Sequence, residues 1–188
     1  DGVFLVVGTS YDGVQTIGQL SDQMVRLGKR LLPVPVRPPQ PVLVRLIPDT
    51  DAEFTHPYVI RPQPNGAIYV FLRWGPHTRF QDCCRALADG LLQRTALWHY
   101  GPSGPERIPP WFTLAMGELL AATVRPATVD SLRTQALELG PMPLMLLLES
   151  PPPLAPESAR NALNAYWFLR YLEAQSSSQQ TFRRLCSA

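Results

Sequence analysis

An α+β fold is predicted, with a small mixed β-sheet and one helix in residues 1–78 and an all-helical half in residues 79–188. Three observations carry that expectation. Alternating or β-branched strand patterns occur only before residue 74. Apolar residues recur at three- and four-residue steps in one early segment and almost continuously after residue 79. Prolines, 21 in a chain of 188, gather at 33–41, 57–64, 102–110 and 141–156, where they separate elements instead of forming one tail.

The elements follow in order. Residues 3–7 are a short β-branched run ending in Gly8-Thr9-Ser10, read as a buried strand and a turn. Val14, Ile17, Leu20, Met24, Leu27 and Leu31 then describe an amphipathic helix behind an Asp12 cap. Strand character returns at 42–47, and 58–61 with 67–73 flank a Pro-Asn-Gly turn as a hairpin. In the last of these, Ile68, Val70 and Leu72 share one face while Tyr69, Phe71 and Arg73 share the other. Helices are expected at 79–98, 110–124, 129–139, 143–149, 157–174 and 179–186, several opening at proline. With 45% apolar residues the chain can bury one good core, so a single domain is expected.

Charge and composition speak against several functions. A net charge of +2 without a dense Lys/Arg tract gives no electrostatic case for nucleic acid. Apolar runs such as 143–148 are far too short for a bilayer, so no membrane span is expected. Cys83, Cys84 and Cys186 contain no Cys-x-x-Cys and adjacent cysteines rarely bridge, so buried, unreactive thiols are expected. His56, His77 and His99 fall in loops or at element ends with no metal-binding pair on one helix. Gly-Thr-Ser and Gly-Pro-Ser-Gly lack the spacing of phosphate loops, and Asp49, Asp51 and Glu53 lack the glycine and distal glutamate of a calcium loop.

Two segments of the helical half carry more specific information. Residues 85–93, Arg-Ala-Leu-Ala-Asp-Gly-Leu-Leu-Gln, resemble the helix that bears His-Glu-x-x-His in gluzincin-type zinc peptidases, the peptidase MA-like group. Residues 109–118, Pro-Pro-Trp-Phe-Thr-Leu-Ala-Met-Gly-Glu, resemble that family's Pro-x-Trp-(two residues)-Glu-Gly-(two residues)-Glu, and 164–172 resemble its aromatic tail helix. The resemblance implies a zincin-like fold: sheet first, then the zinc helix, the glutamate-bearing helix and a helical tail. It also implies where chemistry has been lost. The two histidine places hold Asp89 and Gln93, the general-base place holds Gly90, and the third-ligand place holds Leu114. Trp111 and Glu118 match supporting positions in the cleft. A catalytic zinc needs three competent ligands and a carboxylate to take a proton from its water, and these places supply at most one ligand.

The expectation is therefore a catalytically inactive peptidase homologue with no metal and no cofactor, serving as a binding or scaffolding module. A peptide or protein would occupy the former substrate cleft. By the resemblance, Ile68, Tyr69, Val70 and Phe71 would form an edge strand able to pair with it; the plainer alternative is that Tyr69 and Phe71 pack under the helical half. The resemblance leans towards an extracytoplasmic location. Two rival functions stand beside it, a hydrolase with unrecognised chemistry and an architectural domain of a larger protein. Without the family, Phe80, Cys84, Leu87, Leu91, Thr95 and Trp98 form an ordinary helical stripe, with Asp89 and Gln93 on a polar face.

Overall fold

The computed structural model describes residues 2–32, 40–140, 142–149 and 158–175. The helix expected at 179–186 and Cys186 lie outside the described residues. The order is β1 (Phe4–Val7), α1 (Tyr11–Leu31), β2 (Val42–Pro48), β3 (Tyr58–Pro62), β4 (Ile68–Trp74), α2 (Phe80–Tyr100), α3 (Pro110–Val124), α4 (Ala127–Leu139), α5 (Leu144–Leu148) and α6 (Ser158–Ala174). Two single turns of 3-10 helix, Gly101–Ser103 and Pro105–Arg107, link α2 to α3. The fold is α+β, with its small mixed sheet in the N-terminal half and helices beyond it.

The expected helix behind Asp12 begins two residues earlier than that cap implies. Ser10 is the N-cap, its hydroxyl accepting from the Gly13 amide at 3.1 Å. Asp12 instead sits in the first turn, where its charge favours the helix dipole.

The strand order is β1-β2-β4-β3. β1, β2 and β4 run parallel, and β3 returns antiparallel along β4, with Tyr58 opposite Leu72 and Ile60 opposite Val70. This corrects one expectation. The strand bearing Ile68, Tyr69, Val70 and Phe71 is not an edge, because β2 and β3 occupy both of its sides. A Pro-Asn-Gly turn dictates that β3 and β4 pair, but not which of the two joins the parallel strands.

Alternation along β4 sorts its side chains cleanly. Ile68, Val70 and Leu72 are fully buried with Val42 and Val44 against the helices. Tyr69 and Phe71 lie on the opposite face, partly exposed and edge-to-face at 6.5 Å, so they do not pack under the helical half either. On that opposite face the register aligns two rows, Leu5–Leu43–Tyr69–Arg61 and Val7–Arg45–Phe71–Val59.

α3 lies between α2 and α6. Every residue from Trp111 to Ala122 is buried, as expected of a helix that is apolar all round. Trp111 stacks edge-on against Phe168 of α6 at 5.2 Å, and one connected core runs from the sheet through α2 and α3 to α6.

Candidate functional site

Four polar residues of α2, Asp82, Arg85, Asp89 and Gln93, recur at helical spacing along one stripe of the helix. β3 brings Tyr58 to this stripe and α3 brings Glu118. The Gln93 amide donates to the Asp89 carboxylate at 2.9 Å, an i, i+4 contact along the helix. Arg85 donates to Glu118 at 2.8 Å, with the two side chains 13% and 6% exposed. The buried Tyr58 hydroxyl lies beside the Asp89 carboxyl without closing a hydrogen bond of ordinary geometry.

Burial sets the protonation of this cluster. It lifts Asp89 to about 6, against the opposing effect of the Gln93 hydrogen bond and the nearby Tyr58 hydroxyl. The Tyr58 phenol is pushed well above its ordinary value, first by burial and then by the Asp89 charge. Asp82 is also raised by burial, with Arg85 and Arg79 working against the rise.

The remaining expected positions are distributed among other tasks. Gly90 faces the sheet: a Cβ there would stand 2.9 Å from Val70 Cγ2 and 3.1 Å from Val42 Cγ1. A glutamate at 90 would have to displace β2 and β4 before reaching any cleft. Leu114 is completely buried in the core. Trp111 joins α3 to α6, and Glu118 joins α3 to α2. Ile68 and Val70 point at the helices, on the opposite side of β4 from Tyr69 and Phe71. The structure thus brings Asp89 and Gln93 into contact, and seats Gly90 and Leu114 in apolar packing.

The sequence does not single out three members of the cluster, Tyr58, Asp82 and Arg85. A signal for Arg85 was present, since Glu118 is the sole charged residue of α3 and a buried carboxylate calls for a cation. Tyr58 had none, because only the order β4-β3 puts the start of β3 over α2.

Chemically the cluster offers one carboxyl able to exchange a proton near neutral pH, beside a phenol and an amide. Among the described residues, no three His, Cys, Asp or Glu side chains come together to hold a metal ion. Cys83 and Cys84 are buried, and burial holds the Cys83 thiol up to about 12 and Cys84 higher still, so neither is a ready nucleophile. No family model, curated protein or solved structure matches this chain.

Proposed function

We propose that this chain is a catalytically inactive relative of the gluzincin-type peptidases that works as a binding or scaffolding module. The observation that carries the reading is the state of the positions corresponding to the zinc site. Asp89 and Gln93 satisfy each other at 2.9 Å, the sheet closes over Gly90, and Leu114 is buried as a core residue. The element order supports the relationship: a sheet with an antiparallel outer strand, then α2 and α3 side by side, then α6 against α3.

The partner in this reading is an extended peptide added to β3, the outer strand beside the Asp89 cluster. Among the described residues nothing pairs with its outer side, which offers main-chain donors and acceptors for strand addition. Val59 and Arg61 already bond β4, so Tyr58 and Ile60 present their amides to that side, and Pro62 has no amide proton to continue the row; the usable ladder is short and would suit a short peptide segment.

Metal analysis of protein purified without chelator is expected to find no stoichiometric zinc, and a peptidase assay with zinc restored no cleavage. One equivalent of zinc, lost together with activity in Asp89→Ala, would defeat the proposal. For the binding arm, a bound peptide should slow hydrogen exchange at Tyr58 and Ile60. Binding that leaves those amides unprotected would remove strand addition.

The part-buried carboxyl at Asp89 gives a second reading, a hydrolase using it as general acid or base. That enzyme would show a rate profile with a midpoint near 6 that disappears in Asp89→Asn. A flat profile, or one unchanged in that variant, would dismiss it.

A further inference from the structure

The sheet has a second face, across from the Asp89 cluster. Parallel strands such as β1, β2 and β4 are normally covered on both sides. Here α1 and α2 cover one side, and among the described residues no element packs on the other. That face is nonetheless apolar. Leu5 and Val7 are 54% and 39% exposed, and Leu43, Tyr69 and Phe71 continue the surface inward across the sheet.

Its charge is one-sided. Arg45, Arg61 and Arg73 are the charged side chains that the strands direct to this face, and no carboxylate is among them. Arg61 rests over the Phe71 ring at 5.5 Å, and Arg73 donates to the Asp49 carbonyl oxygen. Among the described residues neither Arg45 nor Arg61 has an acidic partner.

We propose that this outer sheet face docks an acidic amphipathic helix of another polypeptide, its apolar stripe on Leu5, Leu43 and Phe71 and its carboxylates on Arg45 and Arg61. A helix is the element that completes such a layer, because its apolar stripe matches a flat sheet face and its own backbone is already hydrogen-bonded. The competing occupants fit less well. Two copies of this face related by a two-fold axis would bring arginines against arginines. Single-stranded nucleic acid would stack on Tyr69 and Phe71 but would leave the aliphatic side chains of Leu5, Val7 and Leu43 covered by little that is apolar. The face lies across the sheet from Asp89, so the inference stands or falls independently of the pseudopeptidase reading.

The probe is a synthetic amphipathic helix of about five turns with a leucine stripe flanked by glutamates. A lysine-flanked counterpart and a thymidine oligonucleotide serve as the other arms. The glutamate peptide should bind at least about tenfold more tightly than the lysine peptide, and less tightly as salt is raised. Its binding should shift the methyl resonances of Leu5, Val7, Leu43 and Ile47. The double variant Arg45→Glu/Arg61→Glu should reverse the preference, and Leu5→Ser, at an exposed position, should weaken binding without loss of fold. Equal or absent binding of the two peptides, or methyl shifts confined to other surfaces, would overturn the proposal. So would tighter capture of the oligonucleotide on the same face, or self-association of the protein abolished by Leu5→Ser.

Discussion

Asp89 is a carboxyl whose ionisation the fold opposes. Burial raises it from an ordinary 3.8 to about 6, so between those values the folded protein holds a proton that the unfolded chain has released. Stability from this group is therefore greatest below about pH 4, falls as pH rises towards 6, and is flat above. At about 1.4 kcal/mol per pH unit, ionising Asp89 costs the fold roughly 3 kcal/mol at neutral pH. Asp89→Asn removes that cost and retains an oxygen to accept from Gln93. It should stabilise the protein by about 1–3 kcal/mol at pH 7.5 and by much less at pH 4. Urea unfolding of both proteins at the two pH values measures the difference, and an equal effect at each would show that Asp89 ionises freely in the folded state.

α2 packs against β2 and β4 at Gly90, where a side chain would not fit. A glycine inside a helix costs about 1 kcal/mol relative to alanine, so Gly90→Ala would be stabilising on helix propensity alone. The contact distances of 2.9 Å to Val70 and 3.1 Å to Val42 reverse that expectation, because both partners are fully buried with nowhere to retreat. Gly90→Ala should cost about 1–2 kcal/mol net. Adding Val70→Ala should cost less than the sum of the two single changes, since the second makes room for the first. Additivity within error, or a gain from Gly90→Ala, would mean that α2 can move off the sheet freely. The same closeness means that restoring a glutamate at 90 would disturb the sheet before it restored a base.

Across the whole molecule, Cys83 and Cys84 sit at the start of α2 within the continuous core, and they report on its cooperativity. Reaction requires the thiolate, and burial keeps both thiols protonated and out of contact with reagent. In a Cys186→Ser background, a disulfide-exchange reagent should label neither cysteine in native buffer and both after unfolding. The labelling midpoint in urea should coincide with that of the far-ultraviolet circular dichroism. Labelling that precedes the loss of helix would show that the start of α2 opens locally.

The sequence by itself determined the element order and the α+β class, because hydrophobic period is a local property: strands alternate by two, and helices by three or four. It also sufficed for the contact between Asp89 and Gln93, which sit one helical turn apart, and for the sorting of Ile68, Val70 and Leu72 from Tyr69 and Phe71. Only the tertiary structure decided that β4 lies inside the sheet and β3 outside, since a tight turn specifies that two strands pair without saying which neighbour the next strand meets. From that order follow the seat of Tyr58 beside Asp89 and the apolar face around Phe71 that the described helices leave uncovered. Packing between distant segments likewise set Gly90 against Val70 and Arg85 against Glu118. Such contacts depend on how far apart the packed elements settle, and no local pattern of residues records that distance.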